Sequence, residues 1–142
     1  MRYLLDSVYV AMGAAVGANA RYWISYFTHA TQQPFPWPTL LINILGSMLL
    51  GAFTAASVLK GWGPPARLVF AVGVCGGFTT FSTFSFEVLD LFYEKSWRLA
   101  GIYAVLSLIL SVGGCLAGGH LARVLLVKQH ERQAQNPNPF AK

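Results

Sequence analysis

The sequence predicts an all-α integral membrane protein with four transmembrane helices per subunit, the third of them broken between Gly76 and Thr80. Three observations lead there. Of the 142 residues only 11% are charged and 55% are hydrophobic, against roughly 25% charged in a soluble domain. The apolar residues gather into stretches at 3–27, 40–59, 68–93 and 99–127, each long enough for the ~20 residues a spanning helix needs. Inside the third stretch stands a polar run, Gly76-Gly77-Phe78-Thr79-Thr80-Phe81-Ser82-Thr83-Phe84-Ser85-Phe86-Glu87. The linkers are too short for a soluble domain. Residues 1–127 therefore read as one transmembrane domain and residues 128–142, with Pro137 and Pro139, as a polar, disordered tail.

The first stretch carries Gly13 and Gly17 four residues apart, a spacing that lets two helix backbones approach closely. Ala18-Asn19-Ala20 resembles a signal-peptide cleavage site. The apolar stretch before it is long, contains Asp6 and is preceded by a single Arg2, so cleavage is not expected. Arg21, near the end of this span, either snorkels to the headgroups or pairs with a carboxylate or a helix C-terminus. A turn follows with Pro34, Pro36 and Pro38, and Phe35 and Trp37 suit the headgroup level. The second span opens at Pro38-Thr39, where a proline's missing N–H costs nothing. Asn43 follows among Leu41, Ile42, Ile44 and Leu45. Its amide needs a partner, in another helix or in a pore.

In the third stretch a Gly-Gly step followed by β-branched hydroxyl residues predicts a helix break. Broken backbone at membrane depth persists only where protein or a water-filled cavity covers it, and clustered polar groups there mark ion or substrate paths. Phe81 and Phe84 share a helix face; Thr80, Thr83 and Glu87 fall along a neighbouring stripe. Rings have positive edges, so edge-on phenylalanines attract an anion without a formal charge. Glu87 is a hydrogen-bonded structural group, a proton carrier or a pore-mouth charge. In the fourth stretch Tyr103, Ser107 and Ser111 recur every four residues, with Cys115 continuing the row. One serine can bond back to its own helix; three hydroxyl groups in register make a polar track. Gly114 and Gly118 add another close-packing surface.

The ten Lys and Arg residues are scattered, which argues against a nucleic-acid partner. Arg2, Lys60, Arg67, Arg123, Lys128, Arg132 and Lys142 fall on one side of a four-span topology, and Arg21, Lys95 and Arg98 on the other. Seven against three favours cytoplasmic termini. Without Arg132 and Lys142 the bias shrinks to five against three. Cys75 and Cys115 lie inside predicted spans and read as small apolar residues. No CxxC, metal-ligand spacing, nucleotide loop or nucleophile elbow appears, so no enzyme is expected.

These residues resemble the Fluc (CrcB) family of fluoride channels. The resemblance rests on the run from Gly76 to Glu87, on Pro38-Thr39-Leu40-Leu41-Ile42-Asn43, where family members commonly have Gly at the first position, and on Gly17-Ala18-Asn19-Ala20-Arg21-Tyr22. It implies a dual-topology homodimer, two inverted subunits with two antiparallel fluoride pathways, in the cell (inner) membrane in contact with lipid. The pathway it implies comprises Asn43, Thr80, Phe81, Ser82, Thr83, Phe84, Tyr103, Ser107 and Ser111. Backbone carbonyls of Gly76 and Thr79 would hold a structural Na⁺ with their symmetry mates. Arg21 and Glu87 match family positions without a transferred role. The implied activity is passive release of fluoride from the cytoplasm. Fluoride is small and tightly hydrated, so a pathway must replace its water with amide, hydroxyl and ring-edge contacts weak enough to let it leave.

The main rival is a small proton-coupled multidrug or cation exporter, also built from four short helices. It would want a carboxylate on the substrate path of the first span, whereas Asp6 stands at its very start and Glu87 is in the third. A non-transporting assembly subunit would explain the glycines but not the hydroxyl track or the break.

Overall fold

The computed structural model describes residues 2–28 and 34–135, and among them every regular element is helical. Helix α1 is Arg2–Thr28 and α2 is Trp37–Leu59. A third rod begins with α3, Pro64–Arg67, runs through a π-wound segment, Leu68–Cys75, and ends in α4, Gly76–Phe78. After the break come α5, Phe81–Tyr93, and α6, Trp97–Gln135.

Among the described residues three stretches are long and apolar enough to cross a membrane: Trp37–Leu59, Pro64–Tyr93 and Trp97–Arg132. The sequence reading counted α1 as a fourth. At 27 residues it is about 40 Å long, but Asp6, Asn19, Arg21 and its tyrosines and glycines dilute its hydropathy. The small residues are there for packing. A side chain at Gly13 would meet the backbone of Val69 and Gly73, and one at Gly17 the backbone of Val74 and Phe78. The contact positions rise together, so α1 and the third rod run parallel. The partners of Gly13 and Gly17 advance by five residues while α1 advances by four, which is the signature of the π winding opposite.

Helices α2 and α6 form a second parallel pair on the same principle. Gly114 faces the Ile44 carbonyl, Gly118 faces Met48, and Gly51 faces Cys115. Short reversals connect the pairs. After α2 the chain turns at Gly61, whose φ is 64°; Gly61 N–H donates to the Val58 carbonyl and Trp62 N–H to Ser57. After α5 the same two-bond closure recurs, Lys95 N–H to Phe92 and Ser96 N–H to Leu91. Here Lys95 holds a φ of 60°, a left-handed position that glycine usually takes.

Little of the chain is deeply buried. Tyr103, Leu40, Leu91 and Ala100 form a core cluster with Phe35, Phe84 and Val88 against it, while many large apolar side chains on α1, α5 and α6 face outward. That inversion suits a lipid surround, which is as apolar as leucine.

The structure narrows one sequence expectation and corrects another. The break lies at Thr79 and Thr80, both extended (ψ 156° and 118°), while Gly76 keeps helical angles. Gly77 is needed for packing, because a Cβ there would come within 2.8 Å of the Ala14 carbonyl. The polar segment expected to leave the helix at Lys128 stays helical to Gln135, since residues 128–135 contain neither glycine nor proline. Residues 136–142 of that tail lie outside the described residues.

Candidate functional site

The break is held by one side chain. Asn43 on α2 accepts a hydrogen bond from Thr80 N–H at its Oδ1 (2.8 Å) and donates from Nδ2 to the Thr80 carbonyl (3.1 Å). An amide group that mimics a backbone strand can clamp an extended residue this way. Nδ2 carries a second hydrogen, and Asn43 also lines a cavity.

Thr80 then starts the next helix. Its Oγ1 accepts from Thr83 N–H at 3.1 Å, an N-cap, and lies 3.0 Å from Thr83 Oγ1 and 3.2 Å from Ser82 Oγ. The break deprives several carbonyls of their helical amides, those of Gly76 and Thr79 among them. In an unbroken helix Thr80 N–H would reach the Gly76 carbonyl and Thr83 N–H the Thr79 carbonyl. Both amides are diverted, the first to Asn43 and the second to the cap. A third carbonyl near the end of α4, that of Gly77, accepts from Arg21 Nε at 3.2 Å. Arg21 thus crosses from α1 to cap the half-helix, the C-terminal pairing open to a cation.

Beside the break lies a cavity of about 320 Å³. Asn43, Gly76, Thr79, Thr80, Phe81, Phe84, Ser107 and Ser111 line it, with Ser47, Leu50, Ala71 and Cys75 extending the wall. Ser107 is only 6% exposed and its Oγ is buried without a hydrogen-bond partner among the described residues. The rings of Phe81 and Phe84 stand 5.5 Å apart, and that of Phe84 lies 5.3 Å from Tyr103. Phe81 is 78% exposed on the outer face of the subunit.

Not every candidate residue joins this cavity. Thr83 and Glu87 line a second one of about 720 Å³, with Thr39, Trp37, Asp90 and Glu94, and Ser82 is exposed and lines neither. Tyr103 is wholly buried between elements. Its hydroxyl donates to Glu87 Oε2 at 2.6 Å, and Thr39 Oγ1 donates to Glu87 Oε1 at 2.7 Å. Both carboxylate oxygens are therefore engaged, which ties α2, α5 and α6 together at one point. The 3.0 Å contact between Thr80 and Thr83 bridges the walls of the two cavities. Asp6 lies apart, in a surface cleft with Trp62 and Arg67.

The sequence alone reads Thr39 as the opening of the second span and Ser47, with Gly46 and Gly51, as a close-packing position, and neither as part of a site. The signal was present: Thr39, Asn43 and Ser47 recur every four residues on α2, as Tyr103, Ser107 and Ser111 do on α6. Only Asn43 stood out, because a lone amide among leucines is conspicuous and a serine beside a glycine is not.

Fold and cavities together define a multi-pass helical membrane protein with polar groups turned inward at membrane depth. Residues 8–119 match the family model described as CrcB-like protein, Camphor Resistance (CrcB). The chain is 42% identical over 131 residues to a protein of Rhodospirillum rubrum named fluoride-specific ion channel FluC, covering 84% of this chain and 95% of that one. It is 42% identical over 119 residues to FluC 1 of Nitrobacter hamburgensis (82% and 94% covered) and 39% identical over 125 residues to FluC of a Roseiflexus species (85% and 99%). The chain belongs to the CrcB family, whose named relatives are ion channels and not enzymes.

Proposed function

We propose that this protein is a fluoride-selective channel that lets fluoride leave the cytoplasm passively. The observation that carries the reading is the buried, unpartnered hydroxyl of Ser107 in the wall of the cavity beside the break. A buried hydroxyl without a partner is costly, and a small anion accepting from it removes that cost. Ser111 and the second amide hydrogen of Asn43 supply further donors on the same wall, and the Phe81 and Phe84 rings supply positive edges. The names of the relatives give the anion. In this reading the ion sheds water at the cavity, passes the Thr80 and Thr83 hydroxyls, and reaches the second cavity.

The working unit is an inverted homodimer of four-span subunits in the inner membrane. The outward apolar faces of α1 and α5, with Phe81 among them, support burial against a second copy and lipid. A structural Na⁺ on the dimer axis completes the proposal. The donor set fits, because the Gly76 and Thr79 carbonyls have lost their helical amides and a hard cation takes oxygen ligands. The ion would supply charge that holds the two breaks together.

Purified protein in liposomes tests the reading. Fluoride should leave rapidly, chloride should not, and a pH gradient should neither drive nor reverse the movement. A strictly proton-coupled flux would favour an exporter instead. Against that alternative, both oxygens of Glu87 already accept hydrogen bonds and Asp6 lies outside both cavities.

A further inference from the structure

Hydroxyl groups on helices normally return their hydrogen to the carbonyl one turn back. Ser7, Thr28, Thr54, Thr79 and Ser85 all do so in this protein, at 2.7–2.9 Å. Ser47, in the middle of α2, makes no hydrogen bond among the described residues. It lines the cavity beside the break, one turn and about 6 Å along α2 from Asn43. Its wall-mate Ser107 is the buried hydroxyl left without a partner there. Gly46 beside it packs against Thr79 and Phe78, which fixes this turn of α2 to the break and keeps Ser47 on the cavity wall.

We propose that Ser47 is a further donor to the anion. It holds the ion on the side of Asn43 towards Cys75 and Leu50, before or after the ion engages the Asn43 amide. The proposal rests on the fluoride-channel reading and extends it. The polar wall of α2 becomes a ladder, with Thr39 committed to Glu87, Asn43 shared between Thr80 and the ion, and Ser47 free for the ion alone.

The test is a pair of isosteric replacements, Ser47→Thr and Ser47→Val, with Ser47→Ala as a smaller variant that cannot overpack. Each is reconstituted in liposomes after its assembly has been matched to wild type by size-exclusion chromatography. Ser47→Thr should release fluoride within about twofold of wild type, and Ser47→Val and Ser47→Ala about five- to tenfold more slowly, the scale of one lost hydrogen bond. Equal rates for the threonine and valine variants, or a wild-type rate for Ser47→Ala, would overturn the proposal while leaving the channel standing. Wild-type liposomes that release no fluoride would overturn the channel reading and this inference with it. Should the β-branched pair fail to assemble, Ser47→Ala alone decides.

Discussion

The seam between α1 and the third rod and the cleft between α2, α6 and α5 both rest on close glycine contacts and put them to opposite ends. At the seam, Gly13, Gly17, Gly73 and Gly77 bring backbone against backbone and leave no room for a methyl group. At the cleft, α2 and α6 touch through Gly51, Gly114 and Gly118, yet the faces carrying Asn43, Ser47, Ser107 and Ser111 stay apart around a cavity. The difference lies in the third rod. Its side against α1, from Leu68 to Phe78, closes without a gap; its side towards α2 and α6, where Ala71, Cys75, Gly76, Thr79 and Thr80 stand, borders a cavity that the rod does not fill. A membrane protein can thus obtain a dry joint and a polar chamber from the two sides of one rod.

The comparison is broken most severely at the seam. Gly17→Val would drive a side chain into the backbone of Val74 and Phe78, and overpacking costs about 3 kcal/mol or more where backbone cannot yield. Loss of monodisperse protein in detergent is the expected result; a wild-type melting curve would mean that the seam is loose. Next comes Asn43→Ala, which removes both bonds to Thr80 and a cavity donor. It should destabilise the subunit by about 2 kcal/mol and slow fluoride release at least tenfold, beyond what its stability loss explains. Thr80→Val retains the shape of the side chain but deletes the cap on α5, worth about 1 kcal/mol. Its thermal midpoint should fall modestly, and hydrogen exchange should rise first in residues 81–84. Lys95→Gly, which lines neither cavity, should raise stability by about 1 kcal/mol by relieving a left-handed backbone and leave fluoride release unchanged. A change in release there would mean that the α5–α6 turn is coupled to the cavity.

The helices were legible because hydrocarbon demands long apolar runs, and the break was legible within three residues because glycine and β-branched hydroxyl residues are rare together at that depth. Its cause was misread. The glycines looked like the weak point, but Gly77 serves the seam and the Asn43 clamp bends the backbone at Thr79 and Thr80. That clamp joins residues 37 positions apart, so no local pattern reports it. The two-donor grip on Glu87 was equally hidden, although its partners Thr39 and Tyr103 were in view. The hydropathy that marks α1 as a fourth span does not show how many of its small residues are reserved for contact with the third rod. The helix beyond Val127 is not legible from polarity, because residues 128–135 are polar yet hold no glycine or proline to end it.

The π winding of Leu68–Cys75 bears on how chains of this kind tolerate changes in length. A helix closed from i to i+5 holds about one more residue per turn than one closed from i to i+4, so the segment behaves as an α-helix that has absorbed an insertion without passing it on. Upstream, α3 keeps its place after the Gly61 turn; downstream, the hydroxyl run keeps its facing toward α2 and α6. Deleting one residue between Leu68 and Cys75 would remove the bulge and leave the hydroxyl run facing its walls. The same deletion placed after Gly76 would rotate the hydroxyls off them.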